Sequence, residues 1–135
     1  MVIDDELDIC IMLKVVLEQN GFIVVNYYSN PIIALDELKS KFYNLIILDI
    51  QMPEINGMQL YKEIRKRDKN TKICFLTGSE TLFHIAHKFA SVYTFITKPV
   101  ENKELIKIVN DVLNTDKISE TVIALVKCLF VMNFY

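Results

Sequence analysis

Four short apolar runs in this sequence lead into residues that can do chemistry. Val2-Ile3 runs into Asp4-Asp5-Glu6, and Leu45-Ile46-Ile47-Leu48 into Asp49. Ile73 to Leu76 runs into Thr77, and Val92 to Ile96 is followed closely by Lys98-Pro99. Carboxylates gathered in one pocket raise one another's pKa, so such a cluster calls for a cation. Oxygen ligands without His or Cys favour Mg²⁺, which takes few protein ligands and keeps several waters. Lys98 adds a fixed positive charge and Thr77 a short hydroxyl donor. A carboxylate nucleophile, a Mg²⁺ site, a cation and a hydroxyl together make a phosphoryl-transfer site. Singly, each signal is weak. Asp-Asp near an N-terminus also suits a helix start, Asp49 could simply close a strand, Thr77-Gly78 is a turn, and Lys-Pro is common. Their order, each at the end of an apolar run, carries the inference.

The elements that must position these residues alternate strictly. Val2-Ile3 is the stub of a first strand, shorter than the usual five or six residues. Leu7 to Asn20 follows with Ile9, Leu13, Val16 and Leu17 at helical spacing, and Gly21 stops it. Phe22 to Tyr27 is a second strand. Ser29-Asn30-Pro31 opens a helix to about Lys39. Leu45 to Leu48, apolar throughout, is a central strand. Pro53 to Gly57 is a loop, Met58 to Arg67 a helix and Ile73 to Leu76 a strand. Thr81 to Phe89 is a fourth helix, Val92 to Ile96 a fifth strand, and Glu104 to Leu113 a fifth helix with an apolar stripe. Glu101 stands where a better N-cap would be expected. Five βα units predict an α/β fold: a doubly wound, five-stranded parallel sheet with right-handed crossovers. With strand order 2-1-3-4-5, the ends of strands one, three, four and five converge on one pocket.

Over residues 1 to about 116 the sequence resembles the receiver domains of response regulators, a flavodoxin-like family of two-component signalling that includes chemotaxis proteins. The resemblance rests on VIDDE (2–6), LIILDIQMPEINGMQL (45–60), CFLTGS (74–79) and FITKP (95–99). It implies that Asp49 is the phosphoacceptor, that Asp5 ligates Mg²⁺ directly and Asp4 largely through water, and that the Gln51 backbone carbonyl completes the metal site. Thr77 and Lys98 would hold the phosphoryl oxygens, with the Lys98–Pro99 peptide cis. Phe95 occupies the aromatic switch position, working with Thr77. Gln51 and Ser79 stand where the family tunes dephosphorylation; both are small and polar enough to admit water, so no exceptional phosphate lifetime is expected. The implied donor is a histidine kinase or phosphotransfer protein. Output would pass to a downstream protein through the face of the fourth helix, fifth strand and fifth helix. The chain would assist its own phosphorylation and dephosphorylation rather than act as an enzyme on a separate substrate.

Bulk properties agree. The 135 residues suit one domain, and a hydrophobic fraction of 52% fits a sheet buried on both faces. A net charge of −2 gives no nucleic-acid surface; the basic residues from Lys62 to Lys72 read as the solvated end of a helix. Cys10, Cys74 and Cys128 form no CxxC pair and read as small buried hydrophobes in a reducing, cytoplasmic setting. The acidic N-terminus is unlike a signal peptide. His84 and His87 lie three apart on the fourth helix, but lack a third ligand nearby; Phe83, Ile85, Ala86 and Phe89 around them read as core.

The chain divides into a receiver domain over 1–117 and an apolar tail over 118–135. Val122 to Val126 and Cys128 to Met132 are too apolar for a free linker, and Lys127 interrupts any membrane span. The tail could extend the fifth helix into a dimer contact, lie on a membrane surface, or supply strand pairing that the short first strand lacks; a packed or homodimerising helix is the expectation. Three other readings remain within reach of these residues: a phosphate-independent receiver, against which every expected side chain is present, a purely scaffolding role for the apolar tail, and a Mg²⁺-dependent phosphatase with an aspartate nucleophile. The phosphatases carry a second Asp two residues on as general acid, where this chain has Gln51.

Overall fold

A computed structural model of the chain describes residues 1–23, 25–39, 42–79 and 93–115. Five strands and four helices are described: β1 (Val2–Ile3), α1 (Leu7–Gln19), β2 (Tyr27–Tyr28), α2 (Pro31–Glu37), β3 (Leu45–Asp49), α3 (Gly57–Arg67), β4 (Lys72–Thr77), β5 (Thr94–Thr97) and α4 (Asn102–Asn114). The helix expected over 81–89, with His84 and His87, and the tail over 118–135 lie outside the described residues. Among those described, no helix is long and apolar enough to cross a membrane.

The strands form one parallel sheet in the order β2-β1-β3-β4-β5. Alternation along β3 explains its unbroken apolar run. Ile46 and Leu48 join the core on one face, with Ala34 of α2 and Leu60 and Ile64 of α3. Leu45 and Ile47 join the core on the other, with Leu13 and Leu17 of α1 and Leu105 and Val109 of α4. Both faces are thus buried, as a parallel sheet requires.

The stub of a first strand holds because its pairing runs past its ends. The Met1 amine donates to the Leu45 carbonyl at 2.9 Å, and the Asp4 amide to the Tyr28 carbonyl at 3.2 Å. β2 is shorter than the expected 22–27 and shifted to Tyr27–Tyr28. Among the described residues it is an edge strand with β1 as its one neighbour, so its length follows the ladder β1 offers; Ile23 is left 92% exposed.

Local chemistry sets the helix ends. Gly21, at φ +92°, takes the left-handed turn after α1. Asn30 accepts from the amides of Ile32 and Ile33, with Pro31 in the first turn of α2. Asn56 and Gln59 form a reciprocal capping box on α3. Glu101 gives α4 no side-chain cap, as its type predicts. The far end of α4 is held instead by Lys72, whose ammonium donates to the carbonyls of Val112, Leu113 and Thr115 at 2.7, 3.2 and 2.6 Å.

Candidate functional site

The carboxyl ends of β1, β3, β4 and β5 place Asp4, Asp49, Thr77 and Lys98 side by side. The register pairs Asp49 with Leu76 and Thr77 with Thr97, and the Lys98 amide donates to the Thr77 carbonyl at 2.9 Å. The Lys98–Pro99 peptide is cis. Asp4 is 0% and Asp49 2% exposed, whereas Asp5 lies at the surface. One carboxylate oxygen from each of Asp4, Asp5 and Asp49 lies within 4.8 Å of the others.

Lys98 is the counter-charge within this cluster. Its Nζ is 2.9 Å from Asp4 Oδ2, 3.4 Å from Asp49 Oδ1 and 3.2 Å from Glu6 Oε1. Asp4 Oδ1 accepts from the Glu6 amide at 2.9 Å. Asp4 Oδ2 has Lys98 at ion-pair distance but outside hydrogen-bond geometry, and Asp49 Oδ2 has no hydrogen-bond partner among the described residues. A buried carboxylate oxygen left bare costs free energy unless something positive or a donor meets it.

The electrostatics express the same shortage. Burial, then the neighbouring Asp4 carboxylate, push the Asp49 carboxyl up to about 7, with Lys98 pulling against them. Burial also raises Asp4, although Lys98 and the Glu6 amide favour its charge. Burial works against the Lys98 ammonium, but the pull of Asp4, Asp49 and Glu6 outweighs it and raises its pKa. Among the described residues one cation faces two buried carboxylates, and a divalent ion fits the remainder. The donor set is all oxygen, one oxygen from each carboxylate is close enough to share one ion, and Asp49 Oδ2 has no hydrogen-bond partner among the described residues.

The other residues expected here are placed as follows. The Thr77 hydroxyl is engaged in its own turn, accepting from the Ser79 amide at 3.1 Å and lying 3.4 Å from the Ser79 carbonyl. Ser79 is half-buried and Gln51 is exposed, just beyond the end of β3. The Phe95 ring is half-buried and stacks on Phe75, centroids 5.9 Å apart.

Three residues with roles here were not singled out from the sequence. Glu6 heads α1 without capping it, and its carboxylate turns to Lys98 instead. Gly57 opens α3 so close to β3 that a Cβ there would sit 2.1 Å from the Asp49 carbonyl oxygen. Cys10 lies beneath the site, its thiol donating to the Asp4 carbonyl at 3.2 Å. Glycine after an N-cap Asn was the available signal for Gly57; the others depend on contacts made only in the fold.

Comparison with known proteins bears on the same region. The profile of the response regulator receiver domain matches residues 1–110. The chain is 31% identical over 116 residues to the chemotaxis protein CheY of Bacillus subtilis, covering 84% of this chain and 96% of that one. To CheY of Thermotoga maritima it is 32% identical over 114 residues, covering 83% and 94%. Among solved structures, the receiver domain of the Francisella response regulator 1452 superposes with a TM-score of 0.69 at 29% identity, over 83% of this chain and 93% of that one. With the sheet order and the convergence of strand ends both in agreement, this chain belongs to the response regulator receiver domains of two-component signalling.

Proposed function

We propose that the chain, with residues 1–117 as its receiver domain, accepts a phosphoryl group on Asp49 from a phosphohistidine of a histidine kinase or phosphotransfer protein, and signals through a change of shape to a protein partner. One observation carries this reading: Asp49 Oδ2 is a buried carboxylate oxygen with no hydrogen-bond partner among the described residues, in a cluster of three carboxylates beside Lys98.

Asp4, Asp5 and Asp49, with the Gln51 backbone carbonyl, would hold Mg²⁺, which when bound offsets negative charge on a transferring phosphoryl group. The chain's own residues do the rest. Asp49 Oδ2 attacks phosphorus in line; the new P–O bond forms as the P–N bond breaks, and its electron pair leaves on the imidazole nitrogen. Lys98, already between Asp4 and Asp49, supplies fixed positive charge to the equatorial oxygens. Thr77 exchanges its bond within the turn for one to a phosphoryl oxygen, and Phe95 then repacks against Phe75, altering the surface around β5 and α4. The half-exposed ring and the weak 3.4 Å contact of Thr77 support such a rearrangement. Hydrolysis by water resets the state, with Gln51 and Ser79 tuning its rate; the chain turns over its own acyl phosphate rather than a separate substrate. A cytoplasmic setting fits the free thiols of Cys10 and Cys74.

Borohydride converts an acyl phosphate on aspartate to homoserine. Peptide mapping after phosphorylation and reduction is expected to place homoserine at position 49 and at no other aspartate. Homoserine elsewhere, at position 4 or 5, would reassign the acceptor. A half-life of many hours for the acyl phosphate at neutral pH would contradict the roles given to Gln51 and Ser79.

A further inference from the structure

One cavity lies away from the site. It lies at the opposite, amino-terminal end of the strands, with a volume of about 500 Å³, and its walls include Leu17, Ile23, Phe42, Leu45, Val109 and Leu113. Two of these are strongly exposed for their type: Ile23 is 92% and Phe42 56% accessible. An open apolar cavity rimmed by bare Ile and Phe is surface that a folded chain ordinarily covers.

The path of the chain names a cover. Leu113 and Val109 form one wall, and Lys72 grips the carbonyls of Val112, Leu113 and Thr115, so the last described residue is pinned beside the cavity. Residues 116–135 follow from that point. Their sequence carries no charged side chain over 121–126 or 128–135, and includes Val122-Ile123-Ala124-Leu125-Val126 and Cys128-Leu129-Phe130-Val131-Met132. Even at ~1.5 Å per residue the segment reaches farther than the ~13 Å radius of a domain this size. A tethered segment also competes at an effective concentration in the millimolar range, well ahead of a second copy.

We propose that residues 118–135 of this chain dock into the apolar cavity at the amino-terminal end of the sheet, between α1 and α4, and cover Ile23 and Phe42. The pairing matches two apolar stretches, 121–126 and 128–135, to a wall without charged side chains, and it leaves the carboxyl ends of the strands free.

Hydrogen exchange of the full chain, followed by mass spectrometry at two protein concentrations well separated in scale, tests this. Amides of 118–135 are expected to exchange at least about tenfold slower than an unstructured peptide, equally at both concentrations. Ile23→Asp and Phe42→Asp place a charge on exposed rim positions, and Val126→Asp places one in the segment itself. All three are expected to return those amides to the unstructured rate while β3 stays protected. Unprotected tail amides in the wild-type chain would overturn the proposal. So would protection that survives all three substitutions, since the segment would then cover something else. Protection seen only at the higher concentration would assign the cavity to a second copy.

Discussion

Gly57 stands so close to Asp49 that a Cβ at position 57 would come within 2.1 Å of the Asp49 carbonyl oxygen and 2.7 Å of the Ile50 Cα. The Gly57 amide donates to the Ile50 carbonyl at 2.8 Å, locking the first turn of α3 onto the loop that follows β3. Backbone, not a flexible side chain, is what a methyl would meet. Gly57→Ala is therefore expected to cost roughly 2–3 kcal/mol in denaturant unfolding and to shift the Asp49 loop. An unchanged midpoint would show that α3 can slide away freely.

Asp49 gives a pH signature. Its carboxyl, pushed up to about 7 from 3.8, binds a proton more tightly folded than unfolded. Stability from this group is full below about pH 4 and is lost as pH rises toward 7. Without divalent metal, Asp49→Asn is thus expected to be more stable than the wild type above pH 7, by roughly 1–3 kcal/mol, the gap closing toward pH 4. Urea unfolding at pH 4.5, 6 and 8 checks this; a gap that widens in acid would reverse the sign.

Lys98→Ala removes the cation between Asp4 and Asp49 and leaves two buried carboxylates facing each other. The expected loss is roughly 3 kcal/mol at pH 8 without metal, smaller at pH 5 where the carboxyls take up protons. Equal losses at both pH values would mean that Lys98 acts by packing alone.

Mg²⁺ is expected to raise the unfolding temperature, since it binds the folded cluster and not the unfolded chain. At roughly a hundredfold excess over Kd the gain is about 2.7 kcal/mol. Because bound carboxylates must be deprotonated, the gain is larger at pH 8 than at pH 6. It is expected to vanish in Asp49→Asn and to weaken in Asp5→Asn. Calorimetry in which Ca²⁺-free, Mg²⁺-loaded and chelated wild-type samples unfold together would remove the metal from the account.

The sequence reading and the structure agree where physics is local. The run 45–48 is apolar at every position because its alternate side chains enter two different cores, so β3 and its terminal Asp49 could be read directly. β2 could not be read as well: its length is set by two residues of β1 across the ladder, and the apolar Phe22 and Ile23 gave a longer strand. The acidic cluster, Thr77 and Lys98 were legible as types at strand ends. Glu6 was not assigned a role because its partner Lys98 is 92 residues away. Gly57 was read as loop because the need for glycine there comes from the backbone of Asp49, which only the fold brings near.

The most direct test of the central claim is the intact mass of the chain after incubation with acetyl phosphate, with and without Mg²⁺, beside Asp49→Asn. The account predicts a gain of one phosphoryl group in the wild type, dependent on Mg²⁺ and absent from the mutant. No gain in a folded wild-type chain, or an equal gain in Asp49→Asn, would contradict it.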